Sequence, residues 1–131
     1  MEETLRITKA LADGNRLRAV MSLVNHDELC VCQITELLNL ATATVSRHMS
    51  VLQGGRLVAS RKKGRWVYYS LSETFPKDLL VWLKEALADS GVLAADREKL
   101  KEILALDPDE LCRNQRKRCA SGPSTRERGK K

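Results

Sequence analysis

The feature that most limits what this chain can fold into lies between Cys32 and Gln53, where two amphipathic stretches are separated by only a few residues. Ile34, Leu37 and Leu38 give an apolar side to Cys32 through Asn39, and Val45, Met49 and Leu52 give one to Thr42 through Gln53. The second stretch stops at Gly54-Gly55. Its outward side carries Thr42, Thr44, Ser46, Arg47 and His48. A short helix, a brief turn and a longer polar-faced helix make a helix-turn-helix pattern. Leu57 to Ser60 and Trp66 to Leu71 then read as strands around Arg61-Lys62-Lys63-Gly64-Arg65, a hairpin with an almost wholly cationic tip.

The remaining segments supply helices to pack on this unit. Leu5, Ala10 and Leu11 form a stripe broken at Asp13-Gly14, and Leu17, Val20, Met21 and Val24 mark a helix over Asn15 to Val24 with Asn15 as its N-cap. From Pro76 to Ser90, the residues Leu79, Leu80, Trp82, Leu83 and Leu87 form an apolar band too wide for a solvated helix, so it requires a partner. A further helix spans Ala95 to Leu106. Beyond Arg113 the chain is polar, basic and nearly free of aliphatics, which predicts disorder.

Charge is distributed unevenly along the 131 residues, whose net charge is +6. Residues 113 to 131 hold eight Lys/Arg and one acid, whereas the body before them is nearly neutral. More telling is Ala41 to Leu71, with six Lys/Arg and no acid. A segment cleared of carboxylates suits a polyanion, because each acid beside a phosphate would repel it. The recognition side of the second helix and Arg61, Lys62, Lys63 and Arg65 of the hairpin are therefore the expected contacts with double-stranded DNA.

Cys30 and Cys32 form a C-x-C pair at the mouth of the first of those two helices. On a continuous helix their side chains would diverge by about 200°, so both can chelate one soft ion only where the backbone between them is not helical. No phosphate-cradling glycine loop, nucleophile with a spaced base or C-x-x-C motif is present, which argues against an enzyme. No stretch approaches 18 uncharged apolar residues, and the N-terminus lacks a basic-then-apolar leader pattern. The expected setting is cytoplasmic, with no membrane partner.

The segments "ALADGNRLRAVMSLV", "ELCVCQITELL", "TVSRHMSVLQGGRLV" and "GRWVYYSLSE" follow one another in an order and spacing that resemble the ArsR/SmtB family of metal-responsive repressors, over roughly residues 3 to 91. "ELCVC" resembles in particular the branch sensing arsenite and antimonite. The resemblance implies a mostly α, dimeric winged helix-turn-helix fold with a small β-hairpin wing. It divides the chain into a winged domain with dimerisation helices over 1–91, a C-terminal helical extension over 92–112 and a basic tail over 113–131. It further implies a repressor of an arsenic-resistance operon, binding an inverted repeat as a homodimer through Leu79, Leu80, Trp82, Leu83 and Leu87. Arsenite or antimonite at Cys30 and Cys32 would release it, acting as inducer and not as a catalytic cofactor.

The same fold could answer cadmium, lead or another thiophilic ion, or act as a thiol redox switch. Where the arsenite branch usually has a third cysteine, three residues after the pair, this chain has Thr35. The zinc-sensing branch uses Asp and His on its C-terminal helix, whereas His26 and His48 lie elsewhere. A third sulfur could come from the C-terminal segment, where Cys112 is better placed than Cys119, from a small cellular thiol, or not at all; Cys30 and Cys32 are expected to suffice, because ordering a polar tail costs about 1 to 2 kcal/mol per residue.

Overall fold

A computed structural model describes the backbone of residues 1–120 and the side chains of residues 1–117. Helices α1 (Glu2–Leu11), α2 (Gly14–Val24), α3 (Val31–Leu38) and α4 (Thr42–Gly54) precede the hairpin β2 (Val58–Lys63) and β3 (Trp66–Leu71); α5 (Lys77–Ala86), α6 (Gly91–Leu104) and α7 (Pro108–Ala120) follow. A two-residue strand, β1 (Leu29–Cys30), precedes α3 and pairs antiparallel with β3, giving the order β1-β3-β2. The winged helix-turn-helix expected from the sequence is present, built on a small antiparallel sheet.

The core explains the arrangement. Ala19, Val20, Ile34, Leu37, Val45, Met49, Leu52 and Leu57 are fully buried, so the apolar sides of α2, α3 and α4 close on one another. Full burial of such a side chain stabilises by about 1.5 to 3 kcal/mol. Arg16 knits three helices: its guanidinium donates to the carbonyls of Ala10 (2.7 Å) and Lys9 (3.2 Å) at the end of α1 and reaches His48 Nδ1 on α4 at 3.1 Å. A cation at a helix C-terminus also complements the helix dipole.

Several local expectations are corrected. The N-cap of α2 is Asp13, not Asn15, its Oδ2 accepting from the amides of Asn15 (3.0 Å) and Arg16 (3.1 Å). Helix α6 begins at Gly91, four residues earlier than predicted, because Ser90 Oγ caps it through Leu93 N at 3.2 Å. Strand β2 runs to Lys63, so Arg61, Lys62 and Lys63 lie along a strand, and the turn is Gly64-Arg65 with Gly64 at φ 62°. Only glycine adopts that φ without steric cost.

The largest difference is α7. Disorder was predicted from 113, yet the helix runs from Pro108 to Ala120. Proline suits the first turn of a helix, Asp107 Oδ1 accepts from Asp109 N at 3.3 Å, and Asp109 pairs with Arg113 one turn on at 2.8 Å. Leu111 and Gln115, four residues apart, are buried against the rest of the chain. Two buried positions are too faint a stripe to read in so polar a segment. The tail from 121 to 131 lies outside the described residues.

A part-buried ion pair joins two helices that the sequence pattern does not connect. Arg18 of α2 grips Asp96 of α6 with two 2.9 Å bonds, and Arg18 Nη2 and Lys99 Nζ both donate to the carbonyl of Leu37 at 3.2 Å. The aspartate raises the Arg18 pKa further, against the opposing effect of burial. These bonds fasten α6 across the end of α3.

Candidate functional site

The helix-turn-helix surface comes from α3 and α4. Asn39 ends α3 in the left-handed conformation at φ 56°, its amide bonded to Thr35 O, and the chain turns through Leu40 and Ala41 into α4. Ala41 occupies the N-cap of α4 without a side-chain hydrogen bond. Arg47 is exposed on the outer side of α4, with Thr42, Thr44 and Ser46 partly exposed. His48 differs from them: it turns toward α2, where Arg16 meets its Nδ1. Burial, with Arg16 and Arg47 adding to it and Asp13 opposing, holds its pKa below the ordinary imidazole value. This neutral histidine is engaged with α2, unlike its neighbours.

The hairpin is less uniformly cationic than its sequence. Arg61 makes a two-pronged pair with Glu28 (2.8 and 2.9 Å) and lies over the Tyr68 ring. Its hydrogen bond lowers the Glu28 pKa. Arg65 pairs with Asp109 of α7 at 2.7 Å and stacks near Trp66. Lys62 and Lys63 are exposed. Both acids escape the charge pattern along the chain because each lies outside the acid-free segment.

At the thiols, Cys30 and Cys32 are both buried, at 1% and 2% exposure. Cys30 closes β1 and caps α3 with extended backbone, φ −71° and ψ 149°, so it already stands outside the helix that holds Cys32. Gln33 Oε1 accepts from Cys30 N at 2.8 Å, and the amides of Cys32, Gln33 and Val31 interact with the Cys30 sulfur. Those amides favour the thiolate, but burial is the larger effect and pushes the thiol pKa up. Cys32 turns the other way and forms a disulfide with Cys112 of α7, with 5.5 Å between Cα atoms. Thr35 spends its hydroxyl on Val31 O at 2.7 Å. Among the described residues no three His, Cys, Asp or Glu side chains are grouped to hold an ion. The Cys119 side chain lies outside the described ones.

Away from the thiols in the chain, α1 and α5 frame an apolar groove of about 280 Å³ whose lining includes Ile7, Leu11, Leu79, Trp82, Leu83 and Leu87. The expected interface residues divide here. Leu83 is core at 3% exposure, Trp82 is 60% exposed, and Leu79, Leu80 and Leu87 lie between.

A helix-turn-helix with an adjoining hairpin wing defines a DNA-binding transcriptional regulator. The comparisons agree. The model for bacterial regulatory proteins of the arsR family matches residues 13–60. An arsenic resistance transcriptional regulator of Pseudomonas putida is 36% identical over 94 residues, covering 72% of this chain and 69% of that one. A cadmium resistance transcriptional regulatory protein of Listeria innocua is 46% identical over 61 residues, 47% of this chain and 51% of that one. Among solved structures, the homodimeric winged helix-turn-helix domain of a possible ArsR-family regulator from Mycobacterium bovis superposes with a TM-score of 0.56 at 30% identity, covering 67% of this chain and 80% of that one. This chain belongs to the ArsR family, a transcriptional repressor and not an enzyme. Among the described residues no helix is long and apolar enough to cross a membrane.

Proposed function

We propose that the protein represses an arsenic-resistance operon as a cytoplasmic homodimer and leaves its operator when arsenite or antimonite binds through Cys30 and Cys32. The observation that carries this reading is the placement of the pair at the junction of β1 and α3. Cys30 pairs in register with Tyr68 of the wing sheet, and α3 packs directly against α4. Soft thiolates select trivalent arsenic and antimony over hard cations. Drawing the two sulfurs to one atom disturbs the first turn of α3 or the strand before it, and both support DNA-contacting elements. Ligand and operator then favour different arrangements, and a coupling of about 1 to 3 kcal/mol lowers DNA affinity roughly 5- to 150-fold.

In this reading Thr42, Thr44, Ser46 and Arg47 face the major groove of each half of an inverted repeat, while Lys62 and Lys63 meet phosphates. The test titrates arsenite, antimonite, cadmium and lead against the reduced protein on DNA from upstream of its own gene. Cys30→Ser and Cys32→Ser should bind that DNA normally yet ignore arsenite. Release of either variant at the wild-type arsenite concentration would sink the assignment, and stronger release by cadmium would move it to that ion.

A further inference from the structure

We infer that Cys112 is a ligand of the inducer, so that the metalloid site spans α3 and α7: Cys32 and Cys112 seat the trivalent ion, and Cys30 supplies the third sulfur when it leaves the cap of α3. This rests on the reading that arsenite or antimonite is the inducer. It goes beyond that reading because it moves the seat out of the C-x-C pair and gives α7 a task.

Four observations converge on it. Cys32 and Cys112, 80 residues apart in sequence, are brought within bonding distance, whereas the Cys30 sulfur faces the α3 amides. The approach is built by more than the sulfurs: Leu111 is buried, and Gln115 Nε2 donates to Cys32 O at 2.9 Å and to Glu36 Oε1 at 3.2 Å. Arg116 Nη1 lies 3.8 Å from the Cys112 sulfur, so a side chain of α7 itself lines the approach. The place a third cysteine would take on α3 is held by Thr35, whose hydroxyl is already committed to Val31 O.

The chemistry balances without an oxidant. Arsenite enters as As(OH)₃; each thiol forms one As–S bond and breaks one As–O bond, its proton leaving with the hydroxide as water. Cys32 and Cys112 release two waters and Cys30 a third, and arsenic stays trivalent throughout. The Cys32–Cys112 disulfide uses the same two sulfurs, so it and the arsenic complex exclude one another. The binding-competent form is the dithiol.

The experiment uses the full chain kept reduced with a phosphine, which does not compete as a thiol. Arsenite is added, accessible thiols are alkylated, and each cysteine is scored by mass spectrometry. Cys112 should be protected together with Cys32, and Cys119 should alkylate as readily as without arsenite. In a parallel DNA titration, Cys112→Ser should need at least about tenfold more arsenite for half-release, as expected for losing one arm of a chelate, while its operator affinity stays within about twofold. Cys119→Ser should behave as wild type. Cys112 alkylating freely under saturating arsenite overturns the inference, as does wild-type release of a Cys112→Ser variant that binds operator normally. Should wild type bind arsenite at Cys112 yet stay on DNA, the functional reading falls and the site stands. Protection is read on the unaltered chain, so a poorly folded variant does not cloud it.

Discussion

Arg65 at the tip of the wing and Asp109 in the first turn of α7 form an ion pair at 2.7 Å, and the same carboxylate holds Arg113 at 2.8 Å. The helix that brings Cys112 to Cys32 thus also occupies a cation of the wing hairpin. Asp109→Asn removes that competition. Uninduced protein should bind operator more tightly, by up to about fivefold, because exposed pairs of this kind are worth about 0.2 to 1 kcal/mol. Fluorescence anisotropy on labelled operator reads the change; equal or weaker binding would show that Arg65 does not contact DNA.

Arg47 and Lys62 should fail in different ways. An arginine reading base edges from the recognition helix carries about 1 to 3 kcal/mol of sequence discrimination, whereas a lysine on phosphate carries none. Arg47→Ala should weaken operator binding far more than binding to unrelated duplex. Lys62→Ala should weaken both alike and reduce the salt dependence by about one counterion. Competition titrations at several salt concentrations separate the two outcomes.

The helix-turn-helix was legible in the sequence because Ile34, Leu37 and Leu38, then Val45, Met49 and Leu52, repeat at helical spacing and are buried as that spacing demands. The wing was legible from alternating β-formers around Lys-Gly. What could not be read were relationships between distant segments. Nothing near Arg61 indicates Glu28, nothing near Arg18 indicates Asp96, and a segment as polar as 108–120 does not announce a helix that docks through Leu111, Cys112 and Gln115. Chain position alone puts Cys112 nearer the last helix expected from the sequence than Cys119, and only the fold sets it beside Cys32. Helical spacing left His48 open either to DNA or to local packing, because it sets the side-chain angle only approximately; Arg16, 32 residues away, meets it from α2.

That contact has a pH signature. The folded pKa of His48 is depressed, so the fold prefers the neutral ring. The stabilisation from this group is complete above the ordinary imidazole value of about 6.5 and is lost as pH falls through the lower folded value. Between pH 7.5 and 5.5 the melting temperature of wild type should therefore fall more steeply than that of His48→Gln, which keeps an acceptor for Arg16 without titrating. Parallel slopes would rule the histidine out.

Asp96→Asn should destabilise the fold by about 2 kcal/mol, since it leaves the part-buried Arg18 with a neutral partner. Chemical denaturation measures it. The cost should fall on the contact of α6 with α2, because Asp96 carries the ion pair between them, while the bond from Lys99 to the Leu37 carbonyl still ties α6 to the end of α3.

The α5 band makes the last case, because it divides residues that stabilise a subunit from those available to a second one. Leu83 is 3% exposed within a single chain, so a charge there would unfold the subunit and report nothing about assembly. Trp82, at 60% exposure, and Val81, at 52%, contribute little to the isolated fold yet leave a large apolar surface in water beside the α1–α5 groove. Leu5 on α1, 49% exposed, enlarges the same kind of surface. Exposed apolar patches of this kind mark association sites. Trp82→Glu should thus keep the circular dichroism and cooperative melting of a folded chain while sedimenting as a monomer at micromolar concentration. Because two linked recognition helices gain about a hundredfold or more over one, operator affinity should fall by at least that factor. Binding to a single half-site, already one-armed, should change little. A Trp82→Glu protein that remains dimeric would place the seam elsewhere, and one that is monomeric yet binds the full operator normally would show that each subunit reads its DNA alone.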